Sequence, residues 1–244
     1  SDSELLLKPD EGYAVGEVLV NGIAVQPDAD LRLTGLKSGD VVKVTFVPIA
    51  PPDGPAEASM PPFEDVAGHW AEPAIGWAVS SGLFNGVSQT RFAPDAPMTR
   101  GMFVTVLHRL AGAPETAPLP FADIAEDDYC RQAAGWAVGA GIAEGVGEGR
   151  FDPQADISRE QVVALLFRYA QYAGRTTWAE ADVLEPFADR PALSDWALPA
   201  MRWAVTTGLV NGRDGGLAPK APVTRAEASA LLMRFVVPAG PGGQ

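Results

Sequence analysis

Apolar residues recur at helical spacing in three stretches of the chain. After Thr99, Ser158 and Thr224, apolar side chains fall at offsets of four, seven, eight and eleven residues, as on a helix buried along one side. The three sets are Phe103, Val106, Leu107 and Leu110; Val162, Leu165, Leu166 and Tyr169; and Ala228, Leu231, Leu232 and Phe235. Because the same offsets occur three times, the chain contains an internal repeat with an amphipathic helix in each copy.

Each of these helices is preceded by a capping signal. A Ser or Thr at the cap can accept a hydrogen bond from the third helical amide, and a Glu or Gln at that third position can bond back to the cap amide. The second and third repeats have both partners, Ser158 with Gln161 and Thr224 with Glu227, whereas Met102 replaces the acid in the first. We therefore expect the first of these helix starts to be less stable, by about 1 kcal/mol or less.

A second pattern precedes each capped helix. A Phe-x-Asp triplet is followed by two aromatic residues seven positions apart, then by a glycine five residues later and another four residues after that. The aromatic spacing equals two helical turns and predicts one shared helical face, and the first glycine predicts a left-handed helix end. The positions are Phe63, Trp70, Trp77, Gly82 and Gly86; Phe121, Tyr129, Trp136, Gly141 and Gly145; and Phe187, Trp196, Trp203, Gly208 and Gly212.

The first part of the chain has a pattern typical of β-strands. Short apolar runs flank Asn21-Gly22, a strong hairpin signal because both turn positions need a positive φ. Residues 48–62 are so rich in proline that an extended linker is favoured over helix or sheet. The prediction is a small all-β module at 1–47, either a very small domain or the end of a truncated one, a linker at 48–62, and repeats at 63–112, 121–174 and 187–237.

The charge of the chain limits its partners. It has 31 Asp and Glu against 18 Lys and Arg, a formal net charge of -13, which argues against nucleic acid and against anionic lipid as partners. The single cysteine, Cys130, permits neither an internal disulfide nor a cysteine zinc site, and we expect no cofactor. No apolar run is long enough to span a bilayer, so we expect no membrane insertion. The start, Ser-Asp-Ser-Glu, does not resemble a signal peptide, and we interpret the chain as part of a longer or processed protein.

The ordered set of motifs resembles the S-layer homology domain. It comprises Phe-x-Asp, the aromatic helix, the paired glycines, Phe-x-Pro (with Leu217 for Phe in the third repeat) and Thr-Arg-Ala-Glu or a close variant, three times over about residues 63–237. The resemblance implies a mainly α fold, with three helix-loop-helix repeats in a pseudo-threefold bundle and ligand grooves between repeats. It also implies an extracellular anchor that binds the secondary polysaccharide of a bacterial cell wall. Near the start of the chain, Tyr13, Val20-Asn21-Gly22 and the run Gly39-Asp40-Val41-Val42-Lys43-Val44-Thr45-Phe46 resemble the small β repeats of bacterial surface proteins.

This resemblance directs attention to the start of each capped helix as a carbohydrate site. A pyruvylated or otherwise acidic sugar needs a fixed cation, hydrogen-bond donors and a flat apolar surface. An arginine at the first helical position, beside free helix amides, would supply the first two. Aromatic rings would stack on the sugar, the Phe-x-Asp carboxylates would accept from hydroxyls, and the glycine loops would bring amides close. The candidates are Arg100, Arg159 and Arg225; Trp70, Tyr129 and Trp196; Asp65, Asp123 and Asp189; and Gly86, Gly145 and Gly212.

Each candidate also has a structural alternative. The arginines could pair with the Phe-x-Asp carboxylates or other acids and join the repeats, the aspartates could cap turns, and the glycines could simply end helices. For the whole chain, the alternatives are a protein-binding or self-assembling S-layer scaffold and the anchor part of a larger wall-active enzyme. The acids repeat with the fold rather than forming one unique pair, and no catalytic motif is present, so we expect no catalysis in this chain.

Overall fold

The computed structural model describes residues 3–7, 13–25, 27–28, 31–48, 63–116, 118–213 and 215–237. The chain divides into two compact units, Ser1–Ala56 and Glu57–Gln244, and we describe each by itself. Apart from Pro48, the predicted proline-rich linker lies outside the described residues.

Antiparallel strands form the described part of the first unit. Strand β1 (Ser3–Leu6) pairs with β4 (Arg32–Leu36), while β2 (Tyr13–Val20) pairs with β3 (Ile23–Ala24) on one side and β5 (Val42–Pro48) on the other. Asn21 and Gly22 turn the chain between β2 and β3 with φ values of 55° and 81°, as the hairpin prediction requires. Leu7, Val18 and Leu33 form a small buried core. The predicted β module is confirmed, and β1 is a strand that the sequence pattern did not reveal.

Within residues 63–237, the described part of the second unit is helical. Its six α-helices are α1 (Glu72–Ser80), α2 (Arg100–Leu110), α3 (Arg131–Gly139), α4 (Arg159–Tyr172), α5 (Leu198–Thr206) and α6 (Arg225–Val236). Helices α1, α3 and α5 end where the pattern predicts, because Gly82, Gly141 and Gly208 adopt φ values of 69°, 69° and 71°. Each repeat therefore contains a first helix, a glycine loop and a capped second helix.

The helices pack between repeats. Helix α2 contacts α3, α4 contacts α5, and α6 contacts α1, so the second helix of each repeat lies against the first helix of the next. We call these contact zones the first–second, second–third and third–first boundaries. One continuous hydrophobic core extends across all three repeats. The predicted mainly helical bundle of three repeats is confirmed, and the third–first boundary closes it into a ring.

Main-chain hydrogen bonds connect the three segments that precede the capped helices. The amide of Met98 donates to the carbonyl of Val223 at 2.8 Å, Val223 donates to Ile157 at 2.9 Å, and Ile157 donates to Met98 at 2.9 Å. Each repeat thus donates one hydrogen bond to one of its two neighbours and accepts one from the other. This cycle holds the three helix starts in fixed relative positions.

The paired aromatic residues differ from the prediction. Trp70 and Tyr129 each lie two residues before their helix, and Trp196 lies in a 3-10 turn (Asp195–Ala197) before α5. The expected shared helical face is therefore wrong: these three rings are exposed, whereas Trp136 and Trp203 are buried in the core. The turn that precedes each first helix places its aromatic ring outside the bundle.

Candidate functional site

The capped helix starts have the predicted hydrogen bonds. Thr224 Oγ1 accepts from the amide of Glu227 at 3.2 Å, and Glu227 Oε2 accepts from the amide of Thr224 at 3.0 Å. Ser158 and Gln161 form the same reciprocal box. In the first repeat, Thr99 Oγ1 accepts from the amide of Met102, and Met102 returns no bond. These caps fix the backbone immediately before each candidate arginine.

The candidate arginines are buried and join neighbouring repeats. Arg100, Arg159 and Arg225 are 8%, 7% and 9% exposed. Their Nε atoms donate to the carbonyls of Phe151, Leu217 and Phe92, at 3.0, 3.0 and 2.8 Å, in the Phe-x-Pro segment of the next repeat. In addition, Nη2 of Arg100 and of Arg225 donates to the carbonyls of Glu144 and Asn85, at 3.0 and 2.7 Å. The three arginines therefore join the repeats, and they do so mainly through backbone carbonyls rather than through the Phe-x-Asp carboxylates; Arg159 also lies 3.9 Å from a neighbouring acid, Glu227.

Aromatic rings and burial also restrict the arginine side chains. The Cζ atom of Arg225 lies 4.3 Å from the ring centroid of Phe92, and that of Arg100 lies 4.8 Å from the ring of Phe151. Burial lowers the pKa of the three candidate arginines, and neighbouring carboxylates act in the opposite direction. Each guanidinium is consequently fixed in one position before any ligand arrives.

The first amides of the capped helices are occupied. The amide of Arg225 donates to the carbonyl of Ala96 at 3.0 Å, and that of Ala226 donates to Pro94 at 2.9 Å. The first two amides of α2 and of α4 bind the following repeat in the same way, and the third amide binds the cap side chain. The prediction of free helix amides beside the arginine is therefore wrong. The neighbouring repeat takes those donors, which leaves side chains as the groups able to bind an anion here.

The Phe-x-Asp carboxylates stabilise the loop that receives the arginine. Asp65 accepts from the amides of Phe92 and Ala93 at 2.9 and 2.8 Å, and Asp123 and Asp189 bind the same two positions of their own repeats. Ala93 has a φ of 57°, a conformation that L-residues disfavour. Burial acts to raise the pKa of Asp65 and Asp123, but the donated backbone hydrogen bonds outweigh it, so each pKa lies below its ordinary value. The turn-capping alternative holds for these carboxylates, and binding of sugar hydroxyls stays a prediction.

The first aromatic of each repeat is exposed to solvent, and that of the second repeat contacts the preceding repeat. Trp70, Tyr129 and Trp196 are 62%, 56% and 53% exposed. Tyr129 Oη lies 3.5 Å from Thr99 Oγ1, the cap of the preceding repeat, which places its ring next to the segment carrying Arg100. Large exposed rings contribute less to a core than buried ones, and their free faces offer an apolar surface to a ligand.

The second glycine of each repeat lies against the phenylalanine of its Phe-x-Asp motif. A Cβ atom added to Gly86 or Gly145 would stand 2.5 Å from Cε1 of Phe63 or Phe121, and one on Gly212 would stand 2.9 Å from Phe187. Close packing therefore accounts for these glycines within the fold, and a role in presenting amides to a ligand stays a prediction.

Replacing Gly86 with alanine is expected to lower the free energy of unfolding by about 2–3 kcal/mol, because the methyl group would also stand 2.5 Å from the carbonyl oxygen of Ser88. Gly82→Ala is the matched control. Its Cβ would meet nothing within 4 Å, so only the φ of 69° opposes it, at about 1–2 kcal/mol. Urea denaturation of both variants tests the packing explanation, and a smaller loss for Gly86→Ala than for Gly82→Ala would contradict it.

Glu160 is a residue that the sequence analysis did not single out. It is buried at the second–third boundary, where its carboxylate accepts from the amide and Oγ of Ser194 at 3.0 Å each and from Lys220 Nζ at 2.5 Å. The first and third repeats have Gly101 and Ala226 at this position. Comparison of the repeats could have indicated this contact. The residue after the Phe-x-Pro motif is Asp95 in the first repeat and Gln154 in the second, but it is the cation Lys220 in the third.

Three helix-loop-helix repeats, closed into a ring and joined by buried arginines, define the class of fold to which the chain belongs. The chain belongs to the S-layer homology domain family, which matches residues 62–101, 120–163 and 186–229. Domains of this family anchor surface proteins to the cell wall. The family prediction is thereby confirmed.

Several relatives share the helical unit. The chain is 32% identical to an amylopullulanase from Thermoanaerobacterium thermosulfurigenes, 31% to exoglucanase XynX from Acetivibrio thermocellus and 25% to a surface-layer 125 kDa protein from Lysinibacillus sphaericus. The matches cover 73%, 70% and 80% of this chain but only 10%, 16% and 16% of those proteins. The predicted cell-surface location agrees with the family and with the surface-layer relative. Among the described residues, no helix is long and apolar enough to cross a membrane.

Proposed function

We propose that this chain is a non-catalytic anchor that binds an acidic, pyruvylated secondary cell-wall polysaccharide at its repeat boundaries and tethers the remainder of its protein to the wall. The observation that carries the proposal is that each boundary has a buried arginine on the capped helix of one repeat and a large exposed aromatic ring just before the first helix of the next. Charge-assisted hydrogen bonds from the guanidinium would hold the carboxylate of the sugar, and the ring would cover an apolar sugar face.

The structure of the arginines favours binding at low entropic cost. Carbonyl acceptors and an aromatic ring already hold Arg100 and Arg225 in place, so a ligand would not have to immobilise a flexible side chain. Among the described residues, Nη1 of Arg100 and of Arg225 has no hydrogen-bond partner, which leaves donors for a carboxylate. Engagement of more than one boundary by the same polymer would strengthen attachment through effective concentration.

The relatives support two variants of this role. The amylopullulanase and the exoglucanase are enzymes of which the matched segment forms a small part, so an anchor of a larger wall-active enzyme is one form of the proposal. The surface-layer relative supports an anchor within a self-associating S-layer. In both forms, the helical unit binds the wall and catalysis lies outside it.

Simultaneous replacement of Trp70, Tyr129 and Trp196 with alanine is expected to weaken co-sedimentation with cell-wall sacculi. The three rings are exposed, so the melting temperature should change little while at least about tenfold in affinity is lost. Trp178→Ala is the matched control, because Trp178 is 64% exposed and lies in the connector before the third repeat.

The same assay compares native sacculi with sacculi stripped of their secondary polysaccharide. The proposal expects binding to the native form alone. Equal sedimentation with stripped sacculi, or no sedimentation with either, would overturn the anchor function and favour a protein-binding scaffold. Concentration-dependent assembly, measured by analytical ultracentrifugation without sacculi, separately tests self-association.

A further inference from the structure

The three boundaries are chemically unequal. They share the arginine, the aromatic ring and the Phe-x-Asp carboxylate, but the residues around these groups differ in charge and size. The first–second boundary has Arg100 and Tyr129, the second–third has Arg159 and Trp196, and the third–first has Arg225 and Trp70. An anionic sugar would therefore meet three different environments.

Buried ionic contacts already occupy the second–third boundary. The Glu160 carboxylate, 3% exposed, is satisfied by Ser194 and Lys220, both of which belong to the third repeat. Breaking such a cluster to admit a ligand would leave a buried charge without its partners. This carboxylate stands at the position that glycine or alanine holds at the other two boundaries, and its bonds join the second and third repeats.

A carboxylate also neutralises the arginine of the second–third boundary. Arg159 Nη1 lies 3.9 Å from Glu227 Oε1, and Arg213 Nη1 lies 3.3 Å from the same oxygen. Glu227 stands at the third position of its capped helix, where the other two repeats have the neutral Met102 and Gln161. A sugar carboxylate would therefore compete with Glu227 at this boundary alone.

The first–second boundary is acidic. Tyr129 lines an open cleft of about 670 Å³ together with Glu126, Asp127 and Asp128, and Arg131 is the cation among the lining residues. Asp152 follows Phe151, at the position that is alanine in the other repeats. Like charges placed against one another across an interface oppose association, so these carboxylates would repel an acidic sugar.

Where the structure describes it, the third–first boundary has neither a buried carboxylate cluster nor an ion-paired arginine, and the side chain of its Asp95 is 84% exposed to solvent. Among the described residues, no carboxylate lies within 4.0 Å of the Arg225 guanidinium, and the uncharged Ala226 stands at the position that Glu160 holds in the second repeat. Arg225 is 9% exposed as a whole residue, and its Nη1 has no hydrogen-bond partner in the part of the chain that the structure describes. Trp70 is also the most exposed of the three aromatic rings.

We propose that the third–first boundary, built by Arg225 and Trp70, is the principal glycan site and that the second–third boundary is a structural joint. This inference rests on the proposed function and selects among its three boundaries. It follows that ligand affinity depends on residues from the two ends of the helical unit, which meet only when the ring is closed.

Met102 offers a test in which stability and affinity change in opposite directions. It occupies the third position of α2, as Glu227 does in α6, so a glutamate there would complete the capping box with Thr99 and approach Arg225. Met102→Glu is expected to raise the melting temperature while weakening glycan binding about tenfold or more. Met102→Gln completes the same box without the charge and is expected to raise the melting temperature with affinity kept.

Two further variants complete the design. Gln161→Glu places an equivalent charge at the first–second boundary and keeps its capping box, so it should leave affinity within about twofold of wild type. Trp70→Ala alone should lose about tenfold. Isothermal titration of the full chain uses a methyl glycoside carrying a 4,6-linked pyruvate ketal, and the same glycoside without the ketal shows what the carboxylate contributes.

The outcomes separate the two proposals. Loss of affinity in Met102→Glu and Trp70→Ala, with affinity kept in Met102→Gln and Gln161→Glu, supports the third–first site. Binding by the wild type that survives Met102→Glu and Trp70→Ala, or that Gln161→Glu abolishes, overturns the site assignment and leaves the anchor function standing. Absence of binding by the wild type to both the glycoside and native sacculi overturns the anchor function and this inference together.

Discussion

Replacing Arg225 with alanine is expected to lower the free energy of unfolding of the helical unit by about 3–5 kcal/mol. The variant leaves the carbonyls of Phe92 and Asn85 without the donors that now lie 2.8 and 2.7 Å away. It also removes the guanidinium that lies over the Phe92 ring and part of the bonding that closes the third–first boundary. Guanidinium chloride denaturation followed by tryptophan fluorescence measures the loss.

Two variants calibrate that result. Arg91→Ala removes a 67% exposed side chain whose nearest carboxylate contact is 3.6 Å to Asp65, and should cost at most about 1 kcal/mol. Arg225→Lys should fall between the two, because a single ammonium group cannot reproduce the fork that binds two carbonyls. A loss for Arg225→Ala no larger than that for Arg91→Ala would show that the arginine does not join the repeats energetically.

Replacing Asp123 with alanine is expected to cost about 3 kcal/mol, since the amides of Phe151 and Asp152 lose their acceptor. Those bonds, at 2.9 and 2.7 Å, also hold Asp152 at a φ of 59° and position the carbonyl that Arg100 binds. Urea denaturation at neutral pH measures the loss. A change of less than about 1 kcal/mol would mean that solvent replaces the carboxylate at no cost.

The same carboxylates predict a dependence of stability on acid. The folded-state pKa values of Asp65 and Asp123 lie below their ordinary values, so their contribution is complete above the unfolded pKa of about 4 and is lost as the pH falls through the lower folded pKa. Urea midpoints measured from pH 7 down to pH 3 should therefore decrease most steeply below about pH 4. An Asp65→Asn, Asp123→Asn double variant should show a flatter dependence, and an unchanged slope would contradict this origin.

The repeat, the caps and the helix ends could be predicted because each depends on residues close in sequence. Thr224 and Glu227 are three residues apart, and the left-handed conformation of Gly82 needs only the end of its own helix. The partners of Arg225 could not be predicted, because Phe92 and Asn85 lie 133 and 140 residues away. Whether a helix amide is free likewise depends on which distant carbonyl reaches it.

Residue chemistry was predicted more reliably than residue role. The Phe-x-Asp carboxylates were expected either to face a ligand or to cap turns. Their capping role became visible only in the structure, where the amides of Ala93 and Ala218 donate to them. Glu160 looks like a minor variation within the capping tetrapeptide. Its structural role depends on Lys220, which lies sixty residues later and binds it across the second–third boundary. No pattern of residues close in sequence predicts that contact.

Closure of the ring has a consequence for how the chain acquires its structure. Helix α1 is covered by α6, and the hydrogen bond from Val223 to Ile157 and the bond that Val223 accepts from Met98 require the third repeat. Contacts of such long sequence separation form late and slow the folding of a domain. A nascent chain that carries only two repeats has apolar surface on α1 without its cover, and such surface promotes aggregation. We therefore expect the helical unit to complete its folding only after α6 has been synthesised, so that the residues of α6 determine when the native state forms.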